Sequence, residues 1–277
     1  LLAEIGEYDG LVVRSQTRVN AAVIAAGKRL KVIGRAGVGI DNVDVEAATA
    51  RGIIVLNAPE GNTISAAEHT MALILSVARS IPQAHRVVKE GRWDRKSFMG
   101  VELSGKILGI IGFGRIGREV ARRAMAFKMK VLVNDPFFPE EKAREMGVAP
   151  AEIPQILEEA DFITVHVPLT RETNHLLDAR AFARMKDRVR IVNCARGGIV
   201  DEEALYEALK SGKVAAAGLD VFEKEPPGLT SLIQHPNVVV TPHLGASTQE
   251  AQENVAIDVA EEIGRALRGE AVKNAVN

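Results

Sequence analysis

The chain reads as an α/β protein built on parallel sheets, and three observations carry that reading. Strand-like and helix-like segments alternate almost throughout. The strand segments are short, near-continuous runs of Val, Ile and Leu, as expected of strands covered on both faces. One of them runs directly into Gly112-Phe113-Gly114-Arg115-Ile116-Gly117, a G-x-G-x-x-G turn that opens a helical pattern.

Taken in order, the spacing predicts a strand over 10–14, a helix near 21–26, a strand over 30–34, a helix near 45–51 and a strand over 53–57. A long helical pattern begins at Ser65 and runs to about Arg79, and Pro82 bends or interrupts what continues toward Lys89. Residues 91–100 form a polar, basic loop that holds Trp93, the single tryptophan. A second series then opens with a strand over 106–111, a helix over 115–127 and a strand over 130–134. Its later strands are predicted over 162–167, 190–195, 215–221 and 238–241. Pro226-Pro227-Gly228 is the strongest turn cluster and separates the last two. A final helix over about 248–267 carries charge on one face. No internal repeat or low-complexity tract interrupts the pattern.

At 277 residues the chain has room for two domains, and 47% hydrophobic with 26% charged residues is ordinary globular composition. A net charge of −1 points to no bulk affinity for nucleic acid or an anionic membrane. No apolar run reaches the length that spans a bilayer. The single cysteine, Cys194, excludes an internal disulfide framework and a cysteine metal cluster. No signal peptide is read at Leu1–Gly10, and cytoplasmic placement is the expectation. The chain opens on Leu1-Leu2 rather than Met, as a fragment lacking its N-terminus would.

The glycine turn has the full context of a dinucleotide-binding fingerprint. Gly112 permits the tight turn, Gly114 lets a pyrophosphate approach the backbone, and Gly117 lets helix and strand pack closely. The phosphates would meet the free N–H groups and the positive end of the helix dipole. Asp135 ends the next strand, 18 positions after Gly117. Its carboxylate suits ribose hydroxyls and repels a 2′-phosphate, which favours NAD over NADP. The expected fold is therefore a Rossmann-type doubly wound parallel sheet plus a smaller flavodoxin-like α/β lobe. The smaller lobe has only three clear strands and needs cover, which the C-terminal helix can return to supply. The expected division is thus discontinuous: residues 1–60 and 248–277 as a substrate-binding lobe, residues 61–247 as the NAD-binding domain.

Three motifs follow predicted strand ends, where α/β folds place chemistry. In Asn193-Cys194-Ala195-Arg196-Gly197-Gly198 the glycine pair forces a turn that projects Arg196, which can grip a carboxylate bidentately. Its competing reading is a surface Arg paired with Asp201. In Gly218-Leu219-Asp220-Val221-Phe222-Glu223-Lys224-Glu225-Pro226-Pro227, Asp220 ends a buried strand and needs a donor, for which a nicotinamide carboxamide is one candidate. Glu225 is either held in place by the proline pair or a solvated loop residue. In Thr241-Pro242-His243-Leu244-Gly245-Ala246-Ser247, His243 is the best placed of six histidines for acid–base work. His69 and His85 read as packing or surface residues of the long helix. His166 falls inside a strand, and His175 and His235 read as loop residues. No histidine spacing suggests a metal site. Hydride transfer from an alcohol needs a base to take the hydroxyl proton and a cation to hold the carboxylate, and a carboxylate beside the His would fix its ring.

These motifs, with Gly34-Arg35-Ala36-Gly37-Val38-Gly39-Ile40-Asp41-Asn42, resemble those of the D-isomer-specific 2-hydroxyacid dehydrogenases along essentially the whole chain. The resemblance implies a catalytic triad of Arg196, Glu225 and His243. It implies NAD contacts at Gly112, Gly114, Arg115, Ile116, Gly117, Asp135, Val167, Cys194, Ala195, Asp220 and Gly245. It also implies substrate contacts at Arg14, Ser15, Gly37, Val38, Gly39 and Asn62; consecutive backbone N–H groups at 37–39 suit an anion. The substrate expected is a phosphorylated 2-hydroxy acid, with Arg14, Arg95 and Lys96 as basic residues for the phosphate, although the last two also read as a solvated loop. By the same resemblance the chain forms a homodimer through its nucleotide domain, with residues 65–89 and the Trp93 loop at the interface. The family begins with a further strand and helix upstream of Leu1, and longer members carry C-terminal regulatory domains beyond a point matching 271–277. The alternatives are a sister enzyme of the glyoxylate/hydroxypyruvate or D-lactate type, or an NAD-responsive corepressor-like binding protein.

Overall fold

The structure, a computed structural model, describes residues 1–277. A 3-10 turn at Ile5–Glu7 precedes β1 (Gly10–Val13), α1 (Ala21–Ala26), β2 (Val32–Arg35), α2 (Val45–Ala50) and β3 (Ile54–Asn57). Two helices follow, α3 (Thr63–Arg79) and α4 (Ile81–Lys89). The longer series is β4 (Ile107–Ile111), α5 (Arg115–Ala126), β5 (Lys130–Asn134), α6 (Glu140–Glu145), β6 (Ala149–Pro150), α7 (Ile153–Glu159), β7 (Phe162–Val165), α8 (Ala179–Arg184) and β8 (Val189–Asn193). It closes with α9 (Glu202–Lys210), β9 (Val214–Leu219), α10 (Ser231–Gln234), β10 (Val238–Val240) and α11 (Gln249–Leu267). The chain divides into two units, Leu1–Ser65 with Ala246–Asn277, and Ala66–Gly245.

In the first unit three parallel strands lie in the order β1-β2-β3. Ile33 and Val55 turn to one face, where Val23, Ile24, Val43 and Ala48 cover them. Val32 and Leu56 turn to the other, against Val255, Val259 and Ile263 of α11. Those three positions recur every four residues and so form one stripe of the helix. Gly34 sets how closely α11 lies, since a Cβ there would sit 2.4 Å from Val259 Cγ1. Asn20, Asp44 and Thr248 cap α1, α2 and α11 through their side-chain oxygens.

The second unit is a seven-stranded parallel sheet in the order β10-β9-β8-β7-β4-β5-β6. The chain leaves β4 toward β5 and β6, then returns to the other side of β4 as β7. That reversal opens a crevice at the carboxyl ends of β4 and β7, the place where doubly wound sheets bind ligands. Side chains alternate between two cores. Ile163, Val165, Ile191 and Leu219 face α7, α8 and α9, while Ile110, Phe162 and Val192 face α3 and α5. The expected α/β class and doubly wound sheet are what the structure has.

Differences from the sequence reading are local and have physical causes. The break after α3 lies at Ser80, in the left-handed region at φ 51°, and Pro82 sits in the first turn of α4, where a missing N–H costs nothing. The sequence reading sets no bounds for helices α6 to α10 or strand β6, and β6 is an edge strand that tolerates Pro150. Several strands stop two residues early. β8 ends at Asn193 because its side chain accepts from the Ala195 amide and donates to the Arg196 carbonyl, which turns the chain out of the ladder. β7 ends at Val165, so His166 and Val167 lie past the strand, beside the glycine turn. No helix is long and apolar enough to cross a membrane.

Gly117 lies so close to the turn after β4 that an added Cβ would stand 2.2 Å from the Gly112 carbonyl oxygen. Gly117→Ala is therefore expected to destabilise the chain by about 2 kcal/mol, as overpacking against backbone does. Urea unfolding checks this, and an unchanged midpoint would mean that α5 has slack to move.

Candidate active site

The glycine turn has the shape a pyrophosphate needs. Gly112 is in the left-handed half of backbone space at φ 97°, and a Cβ there would lie 2.5 Å from the His166 carbonyl oxygen. A Cβ on Gly114 would meet nothing within 4 Å, and no side chain caps α5. Arg115 and Ile116 open this helix. Asp135 is tied to the turn: Oδ2 accepts from the Phe113 amide at 2.7 Å and Oδ1 from the Phe137 amide at 2.9 Å. Two N–H donors thus orient the carboxylate while each oxygen keeps a lone pair for a ligand hydroxyl.

Asp220, just past β9, is fully buried. Its Oδ1 accepts from Thr241 Oγ1 at 2.5 Å, the Leu244 amide at 2.7 Å and His69 Nε2 at 3.2 Å; Oδ2 accepts from the Gly245 amide at 2.8 Å. Burial pushes the carboxyl's pKa up, but the bonds from His69, Thr241 and Leu244 outweigh that, and it ends below its ordinary value. The donor that Asp220 demands is thus supplied by the protein. His69, read from the sequence as a packing or surface residue, is one of its sources. The missed signal was the buried carboxylate itself, which required polar partners on whatever element covered β9.

His243 follows from that arrangement. Its amide donates to the Asp220 carbonyl at 2.9 Å and to the Thr241 carbonyl at 3.0 Å, and its φ of 55° is left-handed. A non-glycine residue held there costs about 1–3 kcal/mol, so the surrounding bonds must over-determine it. The imidazole Nδ1 lies 2.8 Å from Glu225 Oε2, and both side chains are partly open to solvent. A carboxylate only accepts, so Nδ1 carries the proton and Nε2 is left as a base. Glu225 is held in turn, its Oε1 accepting from the Phe222 amide at 3.2 Å.

The Arg196 loop lies against the same turn. A Cβ on Gly197 would stand 1.8 Å from the Phe222 carbonyl oxygen, so only glycine allows this contact. The Glu223 amide donates to Glu202 Oε1 at 2.7 Å and the Glu202 amide to Glu223 Oε1 at 3.2 Å, joining the two loops a second time. Arg196 Nη1 donates to the Ala195 carbonyl at 2.7 Å. Cys194 and Ala195 follow β8, and burial pushes the Cys194 thiol up to about 12, which leaves it neutral and unreactive. Arg196, Glu225 and His243, the residues expected to form a triad, therefore sit on three loops at the carboxyl edge of β8, β9 and β10.

The residues expected on the substrate side belong to the first unit. Arg14 and Ser15 follow β1, Gly37, Val38 and Gly39 follow β2, and Asn62 comes after β3, so all lie at one edge of that sheet. Gly37 has φ 140°; its carbonyl accepts from the Ala58 amide, and the Val38 carbonyl from Asn57 Nδ2 at 2.7 Å. Asn62 Oδ1 is buried and receives no hydrogen bond. Arg95 and Lys96 are exposed in the loop after α4.

With this geometry established, comparison with known proteins places the chain. Residues 71–245 match the family described as D-isomer specific 2-hydroxyacid dehydrogenase, NAD binding domain. The chain belongs to that family. It is 58% identical to D-3-phosphoglycerate dehydrogenase of Archaeoglobus fulgidus and 54% identical to that of Bacillus subtilis, over 100% and 99% of its length. It spans about half the length of these curated relatives, 53% and 52%. Among solved structures it resembles D-lactate dehydrogenase from Aquifex aeolicus complexed with NAD and lactic acid, at TM-score 0.89 and 31% identity. That match covers 100% of this chain and 89% of the other. It also resembles a glyoxylate reductase at TM-score 0.90 and 34% identity, covering 99% and 87%.

Beside the glycine turn, desolvation pushes His166 from 6.5 down to about 4. The unfolded chain therefore takes up a proton near its ordinary value that the folded chain refuses until about pH 4. Stability must fall as pH drops through that window, by about 3 kcal/mol for this residue. Urea unfolding at both ends of the window measures it, and His166→Gln is expected to flatten the profile; an unchanged slope would remove His166 as the cause.

Proposed function

We propose that this chain oxidises D-3-phosphoglycerate to 3-phosphohydroxypyruvate with NAD, the first step of serine synthesis. The observation that carries the reading is the Glu225–His243 pair, 2.8 Å apart in a domain matched to this family's NAD-binding domain. The choice of substrate rests on relatives at 51–58% identity that bear the phosphoglycerate dehydrogenase name.

NAD, when bound, supplies the hydride acceptor. The start of α5, with Gly112, Gly114, Arg115, Ile116 and Gly117, would hold its pyrophosphate, and Asp135 would hold the ribose. Val167, Cys194, Ala195, Asp220 and Gly245 complete that side. His243 Nε2 takes the proton of the C2 hydroxyl, and Glu225 keeps the imidazole in the tautomer that can do so. Arg196 grips the carboxylate and the C2 oxygen with its planar fork. In the first unit, this reading assigns Arg14, Ser15, the 37–39 backbone and Asn62 to substrate, with Arg14 for the phosphate. Arg95 and Lys96 add to that charge.

The same reading makes the chain a homodimer. Ile81 and Val88 of α4 are 51% and 53% exposed, and Trp93 and Met99 beyond it 80% and 89%, an apolar face that a second copy would cover. Sedimentation equilibrium is expected to give twice the chain mass, and a monomer at micromolar concentration would remove the dimer. The reading also places the chain in the cytoplasm.

Oxidation of NADH with 3-phosphohydroxypyruvate, beside hydroxypyruvate, glyoxylate and pyruvate, tests the reaction. A preference for the phosphorylated keto acid is expected; equal or reversed preference moves the chain to a sister dehydrogenase. Binding of NADH with no turnover favours a binding protein. His243→Ala is expected to lower kcat by about 10²-fold or more while NADH still binds, as loss of a general base does. Full retained turnover would remove His243 from the mechanism.

A further inference from the structure

The donors that neutralise Asp220 come from two separate parts of the chain. Thr241 Oγ1 and the Leu244 and Gly245 amides belong to the segment that carries His243. His69 Nε2 comes from α3, and it also lies 2.9 Å from Thr241 Oγ1. The chain enters the second unit at Ala66 and leaves it at Gly245. One carboxylate thus fastens both ends of that unit, with His69 one helical turn from the entry and His243 two residues from the exit. The neighbours of His69 on α3, Ala66, Ala67, Thr70 and Met71, are buried, while its own side chain keeps 19% exposure. A leucine would satisfy this packing. It would not satisfy the carboxylate.

We propose that His69 is a positioning residue for His243. It donates from Nε2 to Asp220 and so holds the carboxylate in the rotamer that captures the Leu244 and Gly245 amides. Those bonds keep the turn closed and His243 in its left-handed conformation, with Nδ1 on Glu225. Without the His69 donor, the sealed carboxylate is one hydrogen bond short. It regains that bond by rotating or by taking up a proton, and either change loosens the turn that aims the imidazole. The proposal rests on the reading of His243 as the base and deepens it.

His69→Leu, His69→Gln and His69→Asn in the full chain separate positioning from packing. Leu keeps bulk and donates nothing; Gln carries an N–H to nearly the same place; Asn carries one that falls short. The readouts are kcat and KM for 3-phosphohydroxypyruvate, NADH affinity by fluorescence titration, and hydrogen exchange of the Leu244 and Gly245 amides. H69L is expected to lose about tenfold in kcat and gain about tenfold in amide exchange, with KM for the keto acid within about twofold, because misaimed catalytic groups cost turnover rather than substrate binding; NADH affinity weakens too, since Asp220 and Gly245 lie on the cofactor side. H69Q is expected to restore both and H69N to resemble H69L. Wild-type kcat and exchange in H69L, or equal impairment of H69Q, would overturn the proposal. If H69L does not fold, the contrast between H69Q and H69N decides. Exchange needs no substrate, so a wild-type chain that reduces no keto acid defeats the proposed reaction while exchange still judges His69.

Discussion

A carboxylate withdrawn from water is expensive until hydrogen-bond donors meet it, and Asp220 imposes that condition on the carboxyl edge of the larger sheet. Meeting it requires Thr241 at the end of β10, a turn tight enough to aim the Leu244 and Gly245 amides at one side chain, and a polar residue on α3. The left-handed backbone of His243 is a consequence of that turn. Its conformational cost is offset by bonds whose acceptors are the Asp220 carbonyl and carboxylate. The imidazole therefore points at Glu225 because a different acid, two residues beyond Gly218, is buried.

Close approach of backbone to backbone is the second device. Gly117 brings the start of α5 against the turn after β4, Gly112 brings that turn against the His166 carbonyl, and Gly197 brings the Arg196 loop against the Phe222 carbonyl. A β-carbon at any of the three would stand within 2.5 Å of a carbonyl oxygen. Flexibility is not what these glycines contribute. They remove a side chain where two strand-end loops must touch, and rigid loops hold catalytic groups in a narrow range of geometry.

Legibility in the sequence followed the length scale of each interaction. Strands β4 and β5, helix α1 and the long helices α3 and α11 were readable because local periodicity and caps determine them. The helices α6 to α10 and the two-residue β6 were not, because packing on the sheet decides them. Strand ends erred where a side chain turned the chain early, as Asn193 does after β8. His69 was misjudged for a related reason: its partner Asp220 is 151 residues away, and nothing local marks a helical histidine as a hydrogen-bond donor to a distant strand.

By itself the sequence determined the α/β class, the glycine turn before α5, and the kinds of residue that stand at the strand ends. Each depends on neighbours within a few positions along the chain. Tertiary structure alone decided which of those residues meet. Glu225 and His243 are eighteen positions apart and come together at 2.8 Å only because β9 and β10 are adjacent in register. The Asp220 network depends likewise on α3 covering β9, where a Cβ on Gly218 would lie 3.1 Å from Leu73 Cβ. Hydrogen bonds act over about 3 Å, and only the folded chain sets distances of that order between residues far apart in sequence.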